Sequence, residues 1–129
     1  MRAVARTADG VFVVDLETEE LLDLQAQVPG TERPAVELPR VVAAAASGST
    51  VVAVVDRRPP LAVSHDAGRT WHESGGGLPA GFAVAIDEDN PDRILYAARN
   101  RLYLSEDGGR FWRGLAPELP AIHEVAFLD

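Results

Sequence analysis

The sequence predicts an all-β chain assembled from repeated four-stranded units, and three observations carry that reading. An eight-residue pattern occurs twice, as Ser64-His65-Asp66-Ala67-Gly68-Arg69-Thr70-Trp71 and Ser105-Glu106-Asp107-Gly108-Gly109-Arg110-Phe111-Trp112, both S-x-D-x-G-x-[T/F]-W. Ser105 follows Ser64 by 41 residues, as Trp112 follows Trp71, and a fixed period of that size marks repeated supersecondary units. Each copy follows a short apolar run (Leu61-Ala62-Val63 and Leu102-Tyr103-Leu104), and further short apolar runs separated by turn residues fill the rest of the chain.

The pattern has a physical logic as a turn. Ser and Asp side chains hydrogen-bond backbone groups a few residues on and so close a hairpin from within. Gly68 and Gly109 fall where a tight turn favours positive φ. Thr70 suits a strand start, and Trp71 and Trp112 bring large apolar area to lock one hairpin onto its neighbour. The pattern resembles the Asp-box, or BNR, repeat of sialidases, sortilin-type receptors and photosystem-assembly propellers. That resemblance implies a β-propeller, with Ser64, Asp66, Gly68, Thr70, Trp71, Ser105, Asp107, Gly109 and Trp112 as structural residues. It names no reaction, because enzymes and non-enzymes share the box.

The elements follow in order. Met1–Thr7, Val11–Asp15 and Leu21–Gln25 read as strands joined by Ala8-Asp9-Gly10 and by the polar turn 16–20. The box is lost here, since Val14, Leu16 and Thr18 stand where Ser, Asp and Gly belong, and the run Val13-Val14-Asp15 with Thr18 resembles instead the degenerate V-V-D-x-x-T hairpin of other propeller blades. Residues 27–40 hold Pro29, Pro34 and Pro39 and show no period, so they form a loop that reads equally as functional or as a solvated linker. Val41–Ser47 is an alanine-rich strand suited to a crowded position near a propeller axis. Val51–Val55, Leu61–His65 and Thr70–Ser74 complete its unit. The glycine-rich stretch 75–81 lacks the Gly-Lys-Ser/Thr and the following helix of a phosphate loop. Phe82–Asp87, Arg93–Arg99, Arg101–Glu106 and Phe111–Leu115 form the last unit, with a surface turn at 88–92 that lacks calcium-loop spacing. His123–Leu128 is a single further strand.

The expected blades are thus 41–74, 82–115 and a third made from 1–25 plus 122–129. Three blades are too few to close a ring, since propellers run from about four to eight. An open arc exposes apolar faces that favour association. A homodimer closing a six-bladed propeller is expected, the last strand of each subunit completing the first blade of the other. The initiating Met and the complementary ends favour a whole unit of residues 1–129 over a fragment of a longer propeller.

Composition bounds function. The formal charge of −8 argues against nucleic acid or an anionic membrane as main partner. No run approaches the ~20 apolar residues of a membrane span. There is no cysteine, which removes disulfides and thiol chemistry and fits a reducing, cytoplasmic setting. All twelve cations are arginine. In the propeller reading, Arg33, Arg40, Arg57, Arg58, Arg99 and Arg101 gather on the loop face over the channel, where bidentate pairing with a carboxylate or phosphate is the chemistry they offer. The plainer reading is solvated turn arginines paired to nearby acids. The alternative function, a sialidase-like glycosidase across the dimer axis, needs a tyrosine nucleophile with a glutamate beside it. Tyr96 and Tyr103 lie inside expected strands, and Arg93-Ile94-Leu95 does not match the Arg-Ile-Pro of that family. His65, His72 and His123 show no metal-ligand spacing. The expectation is a non-enzymatic binding or assembly module without metal or cofactor.

Overall fold

The computed structural model describes residues 1–29 and 33–128. Among these there are twelve strands and no helix. They are β1 (Arg2–Thr7), β2 (Gly10–Asp15), β3 (Leu21–Leu22), β4 (Val41–Ser47), β5 (Thr50–Val55), β6 (Leu61–Ser64), β7 (His72–Ser74), β8 (Gly81–Ile86), β9 (Ile94–Ala98), β10 (Leu102–Ser105), β11 (Arg113–Gly114) and β12 (Ile122–Leu128). They form three four-stranded sheets: sheet I in the order β12-β1-β2-β3, sheet II β4-β5-β6-β7 and sheet III β8-β9-β10-β11. All pairings are antiparallel.

The fourth strands are shorter than the apolar runs suggest. β3, β7 and β11 hold two or three residues each. In sheets II and III the backbone N–H groups of Thr70 and Phe111 bond an aspartate carboxylate inside the turn, and the ladder starts only beyond them.

One expectation is corrected. The closing strand was assigned to a partner chain, but β12 pairs with β1 of the same chain from Arg2↔Leu128 to Thr7↔Ile122. Sheet I is therefore complete within one subunit. The spatial order of sheets also departs from chain order. Sheet III is the middle layer: β8 packs against β4 on one side and β12 on the other, and no strand of sheet I contacts one of sheet II.

Alternation along the strands builds two cores, because successive side chains point to opposite faces. Ile94 and Tyr96 of β9 join Val52, Val54, Leu61 and Val63 of sheet II. Leu95 and Ala97, one residue out of step, join Ala3, Ala5, Val14 and Leu16 of sheet I, together with Leu102, Leu104 and Leu115. The two cores bury aliphatic and aromatic side chains on both faces of sheet III.

The connection from sheet I to sheet II must pass the middle sheet, and at residues 23–40 it is much longer than the connection at 75–80. Residues 30–32 of this expected loop lie outside the described residues. The rest has no regular secondary structure and alternates in exposure: Ala26, Val28, Pro34, Val36 and Leu38 are half-buried while their described neighbours are exposed. The prolines hide this period-two pattern in the sequence, because they remove backbone donors without preventing an extended path.

Candidate functional site

The two repeated turns are closed as their chemistry dictates. Ser64 Oγ donates to Asp66 Oδ1 (2.7 Å) and accepts from Gly68 N (2.8 Å). Asp66 accepts from Thr70 N (2.8 Å) and Thr70 Oγ1 (2.6 Å). In the second turn Ser105 Oγ donates to Asp107 Oδ1 (2.9 Å) and accepts from Gly109 N (2.9 Å), while Asp107 accepts from Arg110 N and Phe111 N. Gly68 and Gly109 both have positive φ, at 88° and 93°. The hydrogen bonds from Thr70, then from Ser64, hold the Asp66 carboxyl far below the ordinary carboxylate range. The Phe111 backbone N–H is the chief cause that lowers Asp107 below its ordinary value.

A third such turn lies at the β2–β3 hairpin, where the sequence reading expects a V-V-D-x-x-T turn without a true Asp box. Asp15, one residue before the position where the pattern predicts an aspartate, accepts from Glu17 N (2.8 Å) and Thr18 N (2.9 Å). Its carboxyl is lowered by those same donors, Thr18 first. The sequence carries the signal as an Asp followed by Thr three residues on, one position out of register with the other two copies.

These turns also bind one sheet to the next. The buried Ser74 hydroxyl of sheet II donates to Gly109 O and accepts from Trp112 Nε1 (2.9 Å), both in sheet III. Tyr96 lies behind them, edge-on to Trp112 with centroids 6.1 Å apart, and donates its hydroxyl to Pro79 O (2.7 Å). Burial pushes the Tyr96 phenol well above its ordinary value, with a smaller contribution from Tyr103. Between sheets III and I the latch is ionic: Arg113 Nη1 donates to Glu19 Oε2 (2.7 Å) and Ala116 N to Glu19 Oε1 (2.6 Å).

The six candidate arginines occupy the end of the sheets where β4, β8 and β12 begin. Adjacent antiparallel strands alternate direction, so the β5–β6 and β9–β10 loops share that end. Arg57 pairs with Glu73 at 3.8 Å and Arg101 with Glu118 at 3.1 Å. Arg33 donates to Val41 O (3.1 Å). The Arg40 carbonyl accepts from Asp56 N (2.9 Å), which brings residue 40 beside the loop carrying Arg57 and Arg58. The Arg99 carbonyl accepts from Ile122 N (2.8 Å). Among the described residues, the guanidinium groups of Arg40, Arg58 and Arg99 make no ion pair.

A groove of about 1040 Å³ runs over the inner strands β4, β8 and β12 and is flanked by Val28, Pro29, Arg33 and Pro34. Of the six arginines only Arg33 reaches it. Its other charged groups are mixed in sign and include Arg2, Arg93, Asp87 and Glu124. Arg93 lies 3.5 Å from Asp87, and Glu124 is paired with Arg6 at 2.6 Å. Exposed Phe82 supplies an apolar wall. Apart from Arg33, the groove residues named here were not candidate site residues in the sequence, because only the assembled sheets show which edges meet in the middle. The stacked rings of His65 and His72, 5.4 Å apart, have no third ligand; no cluster of three metal-binding side chains occurs among the described residues. No helix is long and apolar enough to cross a membrane. No protein-family model matches the chain, and no curated protein matches it.

Proposed function

We propose that the chain is half of a six-bladed β-propeller of the Asp-box type, closed by two copies, that serves as a non-enzymatic binding or assembly module. Each four-stranded sheet is one blade, and each blade is complete in its own chain. The ligand face is the end that carries the arginines, and its ligand is an anion: a carboxylate or phosphate group on a small molecule or on a protein partner.

The observation that carries this reading is the set Arg40, Arg58 and Arg99. They lie at one end of the sheets, and their guanidinium groups make no ion pair among the described residues, although the chain carries a net charge of −8. Excess acid elsewhere offers partners, yet these guanidinium groups stay open, and a planar five-donor fork pairs bidentately with an oxyanion. The glycosidase alternative has no comparable observation. The Tyr96 hydroxyl is occupied by the Pro79 carbonyl between two sheets, away from the groove over the inner strands.

Titration calorimetry with citrate and with inorganic phosphate at low ionic strength tests the reading. Saturable heat is expected, with affinity falling about tenfold or more in an Arg58→Ala/Arg99→Ala double variant, as the loss of charge-assisted hydrogen bonds requires. Affinity must also drop as salt rises. No saturable binding to either anion, or binding unchanged by the double variant, removes the arginine face as the site.

A further inference from the structure

The contact between neighbouring sheets is built twice in this chain from equivalent residues. In sheet II, Leu61 of β6 pairs with Ser74 of β7, and the β10–β11 turn of sheet III closes over them through Gly109 and Trp112. In sheet III, Leu102 accepts the backbone N–H of Leu115, and the β2–β3 turn of sheet I closes over them, with Leu16 in their core and Glu19 holding Arg113. The equivalent pair in sheet I is Val11 and Leu24, 50 residues before Leu61 and Ser74.

Exposure separates the third pair from the first two. Leu61 and Ser74 are 0% and 7% exposed, and Leu102 and Leu115 are 2% and 1%. Val11 and Leu24 are 41% and 46% exposed. They border a groove of about 420 Å³, completed by Gln25, Ala26 and Gln27. No turn closes over this groove, because sheet I is the last layer of the stack.

The matching half is open at the other end of the stack. The turn of sheet II, Ser64–Trp71, is closed internally like its counterpart in sheet III. Trp112 of that counterpart donates its indole N–H to Ser74, whereas the Trp71 indole makes no hydrogen bond among the described residues. The chain therefore presents one unfilled groove and one unfilled turn of the same repeated contact.

We propose that the Val11–Leu24 groove receives the Trp71 turn of a second copy of this chain, while that copy's groove receives the first chain's turn. The Gln25 and Gln27 amides supply acceptors for the indole N–H, the part played by Ser74 toward Trp112. Two such head-to-tail contacts related by a two-fold axis close a ring, whereas a single copy leaves Val11 and Leu24 against water and the half-buried Trp71 with its indole N–H unengaged among the described residues. The proposal rests on the six-bladed reading above and adds to it the contact surface.

Light scattering on a sizing column tests both, and tells them apart. The wild type is expected at twice the 13.8 kDa chain mass. Leu24→Arg and Trp71→Glu, made separately, are each expected to weaken the dimer about 30-fold or more, the effect of losing a central anchor. Each should elute as a single chain at a loading where the wild type is dimeric. An equimolar mixture of the two variants is expected to recover the doubled mass, because one of its contacts is then wild type and the other pairs Arg with Glu. Only a head-to-tail contact gives that rescue. Circular dichroism checks folding, and should Trp71→Glu unfold, Val11→Asp replaces it with the same expected loss of the dimer. A dimeric wild type whose variants stay dimeric overturns this surface and leaves the six-bladed reading standing. A wild type of single-chain mass at every loading overturns both.

Discussion

The buried hydroxyl of Ser74 joins two sheets by two side-chain hydrogen bonds, and its removal has a calculable effect. Ser74→Ala deletes a bond donated to Gly109 O and one accepted from Trp112 Nε1. Losing such a bond costs about 1 kcal/mol where water can replace the missing partner and about 2 kcal/mol where the partner stays buried and unpaired. Ser74 is buried and Trp112 half-buried, so water reaches the indole in part and the Gly109 carbonyl poorly. The sum is about 2–3 kcal/mol. A chain of 129 residues has an unfolding entropy near 0.3 kcal/mol per kelvin, so the thermal midpoint should fall by about 8–10 °C. Trp112→Phe removes only the indole donor and leaves the Ser74–Gly109 bond intact. A double-mutant cycle between the two should therefore show a coupling of about 1 kcal/mol. The assay is thermal or urea unfolding followed by tryptophan fluorescence for Ser74→Ala and by circular dichroism throughout. A Ser74→Ala midpoint within about 0.5 kcal/mol of wild type, the range of an inert surface change, would refute the reasoning.

Two further outcomes follow from the same geometry. A methyl group at Gly81 would overlap the ring and hydroxyl of Tyr96, so Gly81→Ala must displace that ring from Pro79 and Trp112. It should destabilise by about 2–3 kcal/mol despite the lower chain entropy of alanine, whereas an unfolding midpoint at or above wild type would show that the sheets separate freely there. The acid limb of stability should be steep. Asp15, Asp66 and Asp107 all titrate below the ordinary 3.8 in the folded chain because backbone and hydroxyl donors hold their charged forms. The unfolded chain then binds more protons than the folded one, so stability rises with pH through this range. Their contribution is whole above about pH 5, begins to be lost as the unfolded-state value near 3.9 is passed, and disappears only below the depressed folded values. Thermal midpoints between pH 7 and pH 2 should therefore fall mainly below pH 4. Replacing Asp66 and Asp107 together with Asn should flatten that fall; an unchanged slope would mean that other groups govern it.

What the chain determines locally was legible from the residues alone. The turns at 64–71 and 105–112 are closed by serine and aspartate acting on backbone within four residues, and no distant partner is needed to specify them. Strand positions followed from the apolar runs between such turns, and the strand near residue 123 lies beside a first strand, that of its own chain rather than the partner's. Even locally there was a limit, since Asp15 performs the turn-closing role one position out of register and without the serine.

What the tertiary structure alone decided concerns pairings far apart in sequence. That β12 closes on β1 of its own chain, with Arg2 opposite Leu128, is a choice between two edges of identical chemistry, one in the same chain and one in another. Sequence pattern cannot distinguish them, because both bury the same side chains and form the same ladder. The consequence is global: with β12 paired in cis, sheet I moves to the far side of sheet III, and residues 23–40 must cross between. The arginines were likewise legible as a group at one end but not in their engagement. Glu73 and Glu118 reach Arg57 and Arg101 only because β7 and the segment before β12 return to that end. Local hydrogen bonding therefore wrote the turns and strands into the sequence, while long-range burial, which depends on which faces meet, selected the order of the sheets and the groups left open on them.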